Sequence, residues 1–135
     1  MIKVLNILTD SNIGGAGRCL VNYLKYRDDS QFEVRVVLPE GSLLIPEVQA
    51  AGGTVIEAEH IAERSFSWKG VFTLLKIIRR EKPHIVHTHG SFSGRIAARL
   101  AGVKVIYTRH SAFPVPAYLK KGLGHFVNGA VNSFF

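Results

Sequence analysis

The chain has 135 residues, 47% hydrophobic and 20% charged. That is enough for one core and too little for two domains, and it excludes a disordered polymer. A single cysteine, Cys19, excludes an internal disulfide framework, and no apolar run reaches the roughly 18 residues that a membrane span needs. The net charge of +7 fits a solvated basic surface, an anionic membrane or a phosphorylated ligand. It does not fit a nucleic-acid binder, because no basic platform interleaved with aromatic residues occurs.

The elements follow in chain order. Residues 2–8, IKVLNIL, read as a buried strand, too short and too soon interrupted by Asp10 to be a signal peptide, so a reducing cytoplasm is the expected compartment. TDSNIGGAG is a turn by composition. Residues 16–27 show helical spacing, which makes Cys19 a small buried residue of that helix. A second strand spans 33–38 and stops at Pro39. A helix over 43–51 closes on Gly52 and Gly53, and a third strand covers 54–58. Residues 59–68, polar with embedded aromatics, read as an exposed loop. A long amphipathic helix over 69–82 ends at Pro83. HIVHTH (84–89) is a fourth strand, 91–102 a fourth helix and KVIYTRH (104–110) a fifth strand. Strands alternating with helices, without internal repeat, imply a Rossmann-like α/β fold, a mostly parallel sheet between two helical layers.

In such sheets ligands bind beyond the carboxyl ends of the strands. The first strand delivers Asp10, Ser11, Asn12 and the glycines Gly14, Gly15 and Gly17. The fourth delivers His87, His89, Gly90 and Ser91, and the fifth Thr108, Arg109 and His110. Glycine at a helix start lets a phosphate approach free backbone N–H groups. However, the cluster matches neither G-x-G-x-x-G, with Leu20 at the third small position, nor the Walker pattern. It is either an anion site or a tight turn. His87 and His89 share one strand face, with His87 deeper along the strand; each is either satisfied by hydrogen bonds or a ligand contact. A metal is not expected, because no carboxylate or thiol joins the histidines on this rim. GSFSG puts Phe92 where a nucleophile elbow needs serine. Asp10, Glu40 and Glu59 are candidate acids or bases with surface roles as the alternative, and Phe66, Trp68, Phe113 and Tyr118 could line a groove.

IGGAGR after the first strand and KPHIVHTHGSFSGRIAARLAGVKVIYTRH across the fourth and fifth resemble the amino-terminal domain of family-4 glycosyltransferases of the GT-B fold. The resemblance runs over about residues 2–112 and is most specific over 82–110. His84 stands where the family usually has Asp. It implies that residues 1–135 are the acceptor-side half of a two-domain retaining enzyme, truncated before its donor-binding carboxyl-terminal domain and inactive alone. It implies a UDP- or GDP-sugar donor, a sugar or lipid-linked acceptor, and no metal or other cofactor. Gly14 and Gly15 would approach the donor pyrophosphate, and His110 would lie at the catalytic centre. His89, Gly90 and Ser91 would border the acceptor pocket, with Asn12 and Arg109 beside them. The expected location is the cytoplasm, with peripheral contact at the inner membrane face. Two other readings remain: a stand-alone module binding a phosphate or sugar ligand without catalysis, and a nicotinamide-dependent oxidoreductase using Glu40 at a ribose.

Overall fold

A computed structural model of the chain describes residues 1–110 and the helical positions 122, 126 and 129. The expectations for Phe113 and Tyr118 lie outside the described residues. Five parallel strands form one sheet in the order β3-β2-β1-β4-β5. They are β1 (Ile2–Leu8), β2 (Phe32–Pro39), β3 (Thr54–Ala58), β4 (Ile85–His89) and β5 (Lys104–Thr108). The intervening helices are α1 (Gly15–Tyr26), α2 (Ile45–Ala50), α3 (Trp68–Glu81) and α4 (Phe92–Leu100).

Alternation along β1 sorts its apolar residues onto two layers. Leu5 and Ile7 join Val37, Val86, Leu74 and Ile78 beneath α3 and α4. Val4 and Leu8 join Val36, Leu20, Leu24 and Val48 beneath α1 and α2. Each fully buried aliphatic side chain of this kind contributes about 1.5–3 kcal/mol. The glycines after β1 divide by role. A Cβ on Gly17 would stand 2.5 Å from Leu44 Cδ2, so Gly17 is the contact that lets α1 lie against α2, whereas a Cβ on Gly15 would meet nothing within 4 Å.

Most element limits agree with the sequence reading to within two residues. Pro39 is included at the end of β2, opposite Ala58. Ser67 rather than Lys69 starts the third helix, its Oγ accepting from the Gly70 N–H, and Lys82 ends it in a left-handed conformation before Pro83. The fifth strand stops at Thr108, which frees Arg109 and His110 from the ladder. Cys19 is exposed on α1 and does not pack in the core as a small apolar residue would. The basic residues Arg79, Arg80 and Lys82 sit at the carboxyl end of α3, at the rim opposite the strand ends that carry the candidate site. Among the described residues no helix is long and apolar enough to cross a membrane.

Candidate functional site

The chain runs from β1 outward to β2 and β3, then returns to the other side of β1 to lay down β4 and β5. The loops after β1 and β4 therefore leave the sheet in opposite directions, and the gap between them is where an open α/β sheet takes a ligand. A cavity of about 580 Å³ lies there. Thr9, Asp10, Gly15 and Ala16 line it from β1 and α1; His89 and Gly90 from β4; Tyr107, Arg109 and His110 from β5. The three sets that the sequence placed on one rim meet in one polar space.

Glu63 and Ser65 complete the wall, from the loop between β3 and α3. The sequence reading gives Glu63 and Ser65 no role. It is stitched to both sides of the gap. Glu63 N–H donates to the Thr9 carbonyl at 2.8 Å, and Glu63 Oε1 accepts from the Ser11 N–H at 2.6 Å. Ser65 Oγ donates to the Gly90 carbonyl at 2.9 Å, and the Ser65 carbonyl accepts from the Ser93 N–H at 2.9 Å. Gly90 has φ +76°, a conformation glycine takes without strain, and its N–H reaches the Thr108 carbonyl at 3.0 Å. One corner thus joins β4, β5 and the loop.

The candidate residues separate by position. Gly15, His89, Gly90, Arg109 and His110 face the cavity. Asn12 and Gly14 stand beside it: the Asn12 carbonyl accepts from the Gly14 N–H at 3.0 Å, closing the turn that feeds α1. Ser91 is fully buried, and its Oγ accepts from the Gly94 N–H at 3.0 Å, so its hydroxyl caps α4 and is withheld from the cavity. Glu40 and Glu59 are exposed and lie outside the cavity lining. Phe66 and Trp68 pack edge to face at 5.2 Å, likewise outside it. Among the described residues no three His, Cys, Asp or Glu side chains are placed to hold a metal ion.

Two features give the cavity its chemistry. α1 begins on Gly14 without a side-chain cap and without an acidic residue in its first turn, whereas Ser67 and Ser91 cap α3 and α4. Its first N–H groups and the positive end of its dipole therefore open toward the space that Gly15 and Ala16 line. The second feature is a row of imidazoles. The ring centroids of His87 and His89 lie 4.2 Å apart, and those of His89 and His110 lie 5.1 Å apart with planes inclined by 16°. His89 Nδ1 is 2.8 Å from His110 Nε2, and His89 Nε2 is 3.1 Å from Asn6 Oδ1. His87 Nε2 pairs with Thr108 Oγ1 at 2.7 Å.

His89, not His87, is the more buried of the pair, because Asn6 and His110 cover it. His87 opens onto an apolar groove of about 340 Å³ between α1 and β5, walled by Cys19, Tyr23, Phe32 and Ile106. Burial lowers the pKa of His89 to about 3, assisted by any charge on His87 or His110. Burial also lowers that of His87, with a smaller push from His110. Both rings are neutral at pH 7.

Comparison with known proteins agrees with this architecture. Residues 13–134 match Glycosyltransferase Family 4. The chain is 29% identical over 115 residues to the Escherichia coli UDP-Gal:alpha-D-GlcNAc-diphosphoundecaprenol alpha-1,3-galactosyltransferase, covering 81% of this chain and 30% of that protein. It superposes on a glycosyltransferase from Rickettsia africae with a TM-score of 0.72 at 18% identity, covering 96% of this chain and 34% of that one. Acinetobacter baumannii MurG gives 0.69 at 14% identity, covering 99% and 39%. The UDP-GlcNAc 2-epimerase of Neisseria meningitidis gives 0.64 at 15%, covering 98% and 38%. The chain thus spans about a third of the length of each. With a Rossmann-like sheet of the GT-B type, a glycine-opened helix at its switch point and a family match across most of its residues, this chain belongs to glycosyltransferase family 4.

Proposed function

We propose that this chain forms the acceptor-side half of a retaining glycosyltransferase cleft, completed by a donor-binding domain that these residues do not include. The observation that carries the reading is the meeting of Gly15, His89 and His110 around one polar cavity at the switch point of the sheet. The donor is a nucleotide sugar. UDP is the favoured nucleotide, since the curated relative's own name specifies UDP-Gal. The free N–H groups at the start of α1, approached through Gly14 and Gly15, stabilise the pyrophosphate as the bond to the anomeric carbon breaks. His110 lies beside the transferred sugar. Gly90, Arg109 and the carboxylates of Asp10 and Glu63 position acceptor hydroxyls, one of whose oxygens forms the new glycosidic bond as its proton departs.

The acceptor is a lipid-linked sugar, in keeping with the diphosphoundecaprenol in the relative's name. Such a substrate places the enzyme at the inner face of a membrane. By itself the chain lacks half of the cleft and transfers no sugar.

The test is an NMR titration of this chain with UDP, UDP-glucose, GDP-mannose and NADH. Saturable shifts at Gly14, Gly15 and His110 with nucleotide sugars support the reading. A response confined to NADH would replace it with an oxidoreductase. Indifference of these resonances to every nucleotide, together with wild-type turnover when His110→Ala is placed in the complete enzyme, would remove the site.

A further inference from the structure

The imidazole row has a direction. Asn6 Oδ1 can only accept, so the His89 nitrogen facing it at 3.1 Å, Nε2, carries the hydrogen. His89 is neutral, so its Nδ1 holds a lone pair, and that lone pair faces His110 Nε2 at 2.8 Å. His110 Nε2 must therefore be the donor in that bond. When His110 is neutral, its own Nδ1 is left unprotonated. Asn6 and His89 are both buried, so water does not compete for the bond between them. With the ring planes 16° apart and the two nitrogens 2.8 Å apart, the bond runs nearly in the plane of both rings.

We propose that His89, itself oriented by Asn6, is a positioning residue that fixes the proton of His110 on Nε2 and so presents Nδ1 of His110 as a hydrogen-bond acceptor for a substrate hydroxyl. A histidine at an exposed strand end otherwise exchanges its proton between nitrogens and turns about its side-chain bonds. Here two buried groups set both. Lowered basicity keeps His89 from taking the proton itself, because charging it inside the sheet is costly. The consequence for sugar transfer rests on the reading of His110 given above; the hydrogen-bond relay does not.

The experiment is long-range 1H–15N NMR of the histidine rings in this chain at pH 7, alone and with UDP-glucose. Two ring N–H protons protected from exchange are expected, on Nε2 of His89 and Nε2 of His110. His89→Phe keeps an aromatic ring without nitrogen. It should abolish the protected His110 proton and move the ring nitrogens of His110 to values averaged between the two tautomers. Asn6→Leu should abolish the His89 Nε2 proton, while Asn6→Asp, which retains an acceptor, should keep it. Should Asn6→Leu fail to fold, the contrast between Asn6→Asp and His89→Phe decides alone. A protected proton on Nδ1 of either ring in the wild type, or a His110 signal indifferent to His89→Phe, overturns the relay. If the protons are as stated and UDP-glucose shifts nothing, the relay stands and the sugar-transfer reading weakens. If UDP-glucose binds and His110 ignores His89→Phe, the reverse holds.

Discussion

The two rims of this sheet handle polarity in opposite ways. At the amino rim, Glu81 is buried at the end of α3 and is met by Arg35, by Arg80 Nε at 2.9 Å and by Lys3 Nζ at 3.7 Å. Burial works against its charge, but the hydrogen bond from Arg80 and the charges of Arg35, Arg80 and Lys3 prevail and hold its pKa below the ordinary value. Lys3 Nζ also donates to the Glu81 carbonyl at 2.7 Å, tying β1 to the end of α3. At the carboxyl rim, His89 is buried as an uncharged imidazole beside the amide of Asn6, whose buried Nδ2 has no hydrogen-bond partner. The amino rim compensates its charge completely. The carboxyl rim leaves polar capacity unspent beside an open cavity. A fold can hold a binding site where its own polar groups do not consume one another.

The largest expected effect separates the rims by activity. His110→Ala in the complete transferase should lower turnover by about 100-fold with little change in donor KM, the scale of losing a positioned catalytic group. An unchanged turnover would make the carboxyl rim as purely structural as the other. Next comes pH. His87 and His89 have pKa values below the ordinary 6.5 in the folded chain, so the unfolded chain binds more protons as pH falls through 6.5. Folding stability is therefore complete above about pH 6.5 and is lost on acidification. Between pH 6.5 and 4.5 a fully neutral buried histidine costs about 3 kcal/mol. Glu81 adds its own loss only below its ordinary 4.5. Thermal melts of wild type and His89→Phe should diverge in slope across the upper window; parallel slopes would mean His89 is not held neutral.

Glu81→Ala sharpens the comparison from the other side. It leaves Arg35 and Lys3 with Glu33 as their remaining shared carboxylate, and because both cations are partly solvated the cost should be about 2 kcal/mol, read by denaturant unfolding, with nucleotide-sugar binding unaltered. A smaller contrast lies within the glycine loop. Gly17→Ala must displace Leu44 in the core and should cost about 1–2 kcal/mol. At Gly15 an added Cβ meets nothing within 4 Å, so Gly15→Val should change stability by no more than about 0.5 kcal/mol while weakening donor use. Wild-type donor kinetics in Gly15→Val would reduce the loop to a turn.

The strands and their parallel order were legible because apolar runs and helical spacing alternate so regularly; β3 appears over the very residues, 54–58, that its β-branched pattern indicates. The convergence of His89, Gly90, Arg109 and His110 followed from topology alone. Three things did not show. Glu63 reaches Ser11 across 52 residues of sequence, and no local period marks such a contact. Ser91 is an acceptor-side residue by the family resemblance, yet its hydroxyl oxygen caps the helix that follows it. The depth of His89 depends on Asn6, which sits 83 positions away within an otherwise apolar strand. Glu63 and Asn6 act through long-range pairings of a single polar group, whereas the Ser91 cap is local, made to Gly94 three residues on.

The fastening of residues 59–67 has a consequence for how such a domain can change. The loop is anchored through Glu63 and Ser65, while Arg64 and Phe66 are exposed and take no part in those bonds. The imidazole row is written in β1, β4 and the end of β5, on separate stretches of gene. Glu63 and Ser65 line the cavity themselves, and neither bonds to the imidazole row, so an exchange at either position would reshape the wall while the hydrogen bonds of the row stayed as they were. The wall of the cavity and its row of imidazoles are thus encoded apart, and either can change without the other.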